Sequence, residues 1–237
     1  MDGSTLFTDL GLIPYSKALD FQQRLFDEII HLKKINESLP QCEKQSIYNH
    51  LIFCEHPHVY TLGKSGSESN LLINTIQLQA KNAEFVKTNR GGDITYHGPG
   101  QLVGYPILDL ESLQLGTRQY IEKMEDAIIH TIKDYGIDSY KKNDVIGVWL
   151  AETENKRERK IAAIGVKISR AVSMHGFALN VSTNMEYFNF INPCGFIDKG
   201  VTSVEMELGY IPDYEILKNK LKQNLAKQLD LSFYETK

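Results

Sequence analysis

The chain has 237 residues, 42% hydrophobic and 24% charged, and 26 basic against 30 acidic side chains give a formal charge of −4. That size and balance suit one large globular domain, or one domain with a small appendage, with a sizeable core. A mildly acidic chain has no general pull on nucleic acid or anionic lipid, and no apolar run nears the roughly 18 residues of a membrane span.

The opening MDGSTLFTDLGLIPY lacks the basic and apolar regions of a signal peptide. We expect a reduced, cytoplasmic protein with no nucleic-acid or membrane partner. Residues 5–13 read as a short strand. From Ser16 onward, Ala18, Phe21, Leu25, Ile29 and Leu32 recur at steps of three and four, the period of an amphipathic helix. IYNHLIFCEH and VYTLG then read as strands separated by His56-Pro57, as do residues 84–88 and the Gly- and Pro-punctuated segment 93–108. Ile121, Met124, Ile128 and Ile132 predict a helix over 118–135, with Gly136 at its C-terminal stop. Residues 145–150, 160–169 and 172–182 read as strands, and ETENKRER between the first two as a solvated hairpin tip. A further strand is expected at 201–207 and a last helix from near Asp213. Helices beside many short strands, without βα alternation, predict an α+β fold of mixed sheets flanked by helices.

Three segments can carry chemistry. RGGDITYHGPGQLVGYPILDL, from Arg90, crowds glycines beside Arg90, Thr95, Tyr96 and His97. Glycine lets backbone approach a ligand, and those side chains can hold a polar head group, although a strand with tight turns accounts for the same residues. In INPCGF, Cys194 lies between Pro193 and Gly195, where a turn can expose a thiol; an ordinary buried cysteine is the other reading. Cys42 and Cys54 have no such turn, and the three cysteines form neither a disulfide framework nor a zinc pattern. In KIAAIGVKISRAVSMHGFALNV, from Lys160, small apolar strands beside a donor-rich loop can form an acyl slot or simply sheet core.

The ordered set RGGDITYHGPGQ, KIAAIGVKISR, MHGFALNV and NPCG resembles the lipoyl(octanoyl) transferase family, relatives of the lipoate and biotin protein ligases, over about residues 48–205. The resemblance implies a ligase-like catalytic fold and a single acyltransferase domain over 1–237. It also implies transfer of an octanoyl group from acyl carrier protein to a lysine of a lipoyl domain, in 2-oxoacid dehydrogenase complexes or the glycine cleavage H protein. No cofactor or metal is implied. Cys194 would carry the acyl group and Lys160 would be its acid–base partner. The pocket would be formed by Arg90, Gly91, Gly92, Asp93, Ile94, Thr95, Tyr96 and His97, with Ala163, Ile164, Gly165, Gly176, Phe177 and Ala178. Asp93 stands where many relatives have Gln, Met174 where an aromatic is frequent, and His58 where a second proline is usual. Three other readings stay open: an ATP-dependent ligase on the same fold, a hydrolase pairing Cys194 with His97 or His175, and a non-catalytic carrier-protein binding module.

Overall fold

A computed structural model describes residues 4–192 and 200–234. Strand β1 (Ser4–Leu12) leads into helix α1 (Tyr15–Glu37), then β2 (Asn49–Glu55) and β3 (Val59–Leu62). Helix α2 (Thr75–Ala80), β4 (Glu84–Lys87), β5 (Ile94–His97) and β6 (Gln101–Ile107) follow. Next come α3 (Thr117–Lys133), β7 (Tyr140–Lys141), β8 (Val148–Leu150), β9 (Arg159–Ser169) and β10 (Val172–Asn180). The described chain ends with β11 (Gly200–Val201), α4 (Val204–Leu208), α5 (Tyr214–Leu229) and β12 (Ser232–Phe233).

The large sheet runs β12-β1-β2-β6-β10-β9-β8-β7, with β11 beside β9, and β4-β3-β5 forms a separate small sheet. Parallel pairs (β1–β2, β1–β12, β9–β11) mix with antiparallel ones, as expected for an α+β chain. The segment expected as strands over 93–108 is therefore two strands in two sheets. The turn at Gly98-Pro99-Gly100 carries the chain from one to the other, and Gly100 takes φ +77°.

Side-chain alternation in the large sheet sorts two cores. Leu102, Ile161, Ala162, Phe177 and Leu179 pack with α3 and α5 on one face. Val103, Tyr105, Met174 and Ala178 pack with Ala18, Phe26 and Ile29 of α1 on the other. The α3 and α5 predictions hold: Gly136 sits at φ +79° just past α3, and Asp213 caps α5 by accepting from Ile216 N at 3.0 Å. The strand expected over 201–207 does not. Pairing stops at Val201, and Ser203 Oγ accepts from Met206 N at 3.2 Å, so its cap turns the next residues into α4 instead. Also absent from the sequence reading are α2, β7 and β12, each too short to show a period.

Two glycines set how closely β6 and β10 approach. A Cβ at Gly104 would lie 2.2 Å from the Phe177 ring, and one at Gly176 would lie 2.1 Å from Gly104 O. A side chain at Gly176 thus meets the neighbouring strand. Overpacking costs about 1–3 kcal/mol even where side chains can give way, and here the obstacle is backbone. Gly176→Ala should lower the thermal midpoint by several degrees. A midpoint within one degree or so of wild type would show that the strands part without cost.

Candidate active site

Lys160 owes its direction to a β-bulge. Across the β8–β9 pair, Val148 faces Ala162 and Trp149 faces Lys160, so Ile161 is an extra residue on β9. Ile161 and Ala162 both enter the α3/α5 core, and Ile164, Val166 and Ile168 continue on that side. The extra residue therefore resets the alternation, which places Lys160 on the opposite face with Ala163, Gly165 and Lys167. A regular strand would set Lys160 and Lys167 on opposite sides; the bulge overturns that expectation. Lys167 is instead taken up by α1, its Nζ lying 4.5 Å from the Phe26 ring centre. Lys160 Nζ donates to Ile146 O at 3.1 Å and lies 4.6 Å above the Trp149 ring centre.

Beyond Lys160 the same face is lined with small residues. Ala163 pairs with Ala178 and Gly165 with Gly176 across β9 and β10. The Arg90-Gly91-Gly92 loop lies over them, with Gly91 N donating to Val166 O at 2.9 Å. A Cβ on Gly165 would lie 2.9 Å from Gly91 O, so loop and strand are as close as glycine permits. Arg90 is buried, and its guanidinium spans from the loop to β3, donating to Thr61 O at 2.6 Å, Thr61 Oγ1 at 2.9 Å and Gly91 O at 3.0 Å.

From Arg90 the hydrogen bonds continue in one direction. The Thr61 hydroxyl lies 3.4 Å from His97 Nε2, and His97 Nδ1 lies 2.7 Å from Gln101 Oε1. Gln101 Nε2 donates to Asn180 Oδ1 at 2.9 Å, and Asn180 Nδ2 donates to Thr202 O at 3.0 Å. Gln101 Oε1 can only accept, so these partners assign the His97 proton to Nδ1 and leave Nε2 to accept from Thr61.

His175 holds the loop from below. Its φ of +61° is left-handed, a conformation costing on the order of 1–3 kcal/mol outside glycine. That twist turns the ring to the face bearing Lys160, where Nε2 meets Asn89 Oδ1 at 2.7 Å. Its Nδ1 is buried with no hydrogen-bond partner among the described residues. Sequence reading weighed His175 as a polar group beside the small-residue strand or as a hydrolase base; a positive φ inside a strand leaves no sequence signal.

The segment bearing Cys194 lies outside the described residues, but both of its ends are pinned here. Asn192 N donates to Asn70 O at 2.8 Å, and Asn70 Nδ2 donates to Asp93 Oδ2 at 2.7 Å. On the far side, β10 leaves β9 at Ala162 and β11 takes the same edge, so that Val201 lies beside Lys160. Thr202 N then donates to Lys160 O at 2.9 Å.

A family model, the lipoyl protein ligase A/B catalytic domain, matches residues 14–226. The chain belongs to that family. An octanoyltransferase of Bacteroides fragilis is 49% identical over 95% of this chain and 98% of its own length. One from Cytophaga hutchinsonii is 48% identical over 98% and 96%. The fold matches a structure of a bi-partite lipoate protein ligase and its E2 lipoyl domain from Thermoplasma acidophilum. The TM-score is 0.66 at 14% identity, over 98% of this chain and 86% of that one. Lipoate-protein ligase A bound with ATP matches at 0.64 and 15% identity, over 100% and 89%.

The family's motif residues divide by the direction of their side chains. Arg90 and Gly91 meet β9 at Gly165 and Val166, Ala163 and Ala178 continue that face, Lys160 stands at its end against Ile146 and Trp149, and His97 joins Arg90 through Thr61. Ile164 and Phe177 alternate away, into or against the α3/α5 core. Ile94 and Tyr96 enter the core of the small sheet, where Tyr96 stacks on Tyr187 with ring centres 5.0 Å apart. Thr95 pairs with Thr61 on β3, next to the Arg90 clamp. Asp93 ties the loop to Asn70, and Gly92 turns it at φ +83°. His56, Gln101, Asn180 and Asn89, none of them singled out from sequence, complete the polar interior.

Burial pushes His56 down to about 4, with only partial relief from its contact with Ile13 O. Burial, then the neighbouring His56 ring, takes His97 to about 3, and burial, then the Arg90 charge, takes His175 to about 3. In the unfolded chain a histidine titrates near about 6.5. Between those values the unfolded state binds more protons, so stability rises with pH and is lost as pH falls below about 6.5. The urea midpoint should therefore be clearly lower at pH 5 than at pH 7 with an unchanged slope. Equal midpoints would mean that these rings titrate normally.

Proposed function

We propose that this protein is a cytoplasmic octanoyltransferase of protein lipoylation. It takes the acyl group from acyl carrier protein onto Cys194 and passes it to a lysine of a lipoyl domain, with Lys160 as acid and base, within a single catalytic domain. The carrying observation is that the chain returning from Cys194 pairs, at β11, beside Lys160 on β9, the strand that also bears Ala163 and Gly165. The octanoyltransferase relatives at 48–49% identity support the same reading.

The donor is a thioester, already activated, so this route needs no nucleotide. Cys194 attacks its carbonyl as thiolate, forming a tetrahedral oxyanion that collapses to an acyl-enzyme and the carrier thiol. Lys160 takes the Cys194 proton and returns it to the departing thiolate. The acceptor lysine then attacks the acyl-enzyme; Lys160 receives the amine proton as the amide forms and passes it to the departing Cys194 sulfur, restoring the thiol. Free thiols titrate near about 8.5 and free lysines near about 10.4, so each needs help at neutral pH. An adjacent ammonium favours the thiolate. The acyl chain would run along the small-residue face beside the glycine loop.

Intact mass of the protein incubated with octanoyl carrier protein should rise by one octanoyl group without ATP or magnesium, and hydroxylamine should remove it. Cys194→Ala should lose the adduct, while Cys42→Ser keeps it. An adduct that persists in Cys194→Ala overturns the thioester, and labelling from free octanoate that requires ATP favours a ligase. Lys160→Met should slow transfer about 10²–10⁴-fold, the usual scale of general acid–base catalysis. Lys167→Met should be mild, because at about 3.3 Å per residue the two lysines stand roughly 23 Å apart along β9. Equal effects of the two substitutions would remove Lys160 from its role.

A further inference from the structure

The carboxylate of Glu207 on α4 joins the two chain segments that the proposed reaction must hold together. Arg159 Nε and Nη2 each donate to it at 2.7 Å in a two-pronged pair. The Thr202 hydroxyl donates at 2.5 Å and Lys156 Nζ at 3.1 Å. Arg159 immediately precedes Lys160, and Thr202 is the first residue after β11, on the chain returning from the Cys194 segment. Every polar atom of Thr202 is committed: N to Lys160 O, O to Asn180 Nδ2 and Oγ1 to Glu207.

We infer that Glu207 is a positioning residue of the transfer reaction, holding Lys160 in register with the segment that carries Cys194. The inference rests on the proposed roles of those two residues. The side chains of Glu207 and Arg159 are only 9% and 11% exposed. Removing an ion pair from water generally offsets much of its attraction, so such a pair is weak evidence for stability and is better accounted for by the geometry it fixes. Arg159 and Thr202 hold the carboxylate well down, at about 2, so it stays charged throughout the working range. The bulge at Ile161 sits directly beyond the clamp, and a slip of one residue there would send Lys160 to the wrong face.

The test reads Cys194 in the full chain by its iodoacetamide alkylation rate at pH 7, followed by peptide mass, together with octanoyl-enzyme formation. Glu207→Gln keeps volume and removes charge. Both rates should fall about tenfold while far-UV circular dichroism stays native. In a Lys160→Met background the same change should lower alkylation less than about twofold, since the coupling it serves is already gone. If Glu207→Gln lowers only the thermal midpoint, or slows Cys194 equally in both backgrounds, the positioning role is overturned. If that variant does not fold, Thr202→Val, which removes a single hydrogen bond to the carboxylate, decides by the same comparison. A wild-type protein that takes up no octanoyl at Cys194 overturns the transferase reading, while the alkylation comparison still tests Glu207.

Discussion

The hydrogen bonds that leave Arg90 and arrive at Thr202 tie the glycine loop to the chain that runs beside Lys160. Each donor in turn becomes the next acceptor's neighbour: guanidinium to Thr61, hydroxyl to His97, imidazole to Gln101, amide to Asn180, amide to the Thr202 carbonyl. Aligned dipoles of this kind reinforce one another in a low-dielectric interior. They also require His97 to be neutral, since a protonated Nε2 cannot accept from Thr61. Burial meets that requirement by lowering the ring's affinity for a proton. The chain links the small sheet, which carries the glycine loop, to the large sheet, which carries Lys160, and ends on Thr202, just past β11.

Two local irregularities aim the side chains this network surrounds. The bulge at Ile161 brings Lys160 to the face that the loop covers, and the left-handed backbone at His175 turns its ring to that face against Asn89. Both depart from regular strand geometry beside the same slot, where strained conformations are characteristically kept for function. The face they reach is kept low by Ala163, Gly165 and Ala178, which lets the glycine loop approach β9 closely. The other face of the sheet, filled by α3 and α5, supplies the apolar mass against which these departures are held.

Periodicity and composition alone determined the fold class, the three long helices and the main strands, because 3.6- and 2-residue patterns over long segments are local properties of the chain. The motif set determined the family, and the match over residues 14–226 bears that out. Tertiary structure decided the directions. Nothing local in KIAAIG marks Ile161 as the extra residue, because a bulge is defined by the partner strand's register. Ile164 and Phe177 belong to the same motif strings as Ala163 and Ala178 but alternate into the opposite core. The helix at 204–208 replaced an expected strand through one serine cap, and Glu207 reached Arg159 from 48 residues away. Contacts at that separation are closed only when the sheets assemble, so sequence could single out candidates such as Lys160 while packing alone determined which way its side chain faces.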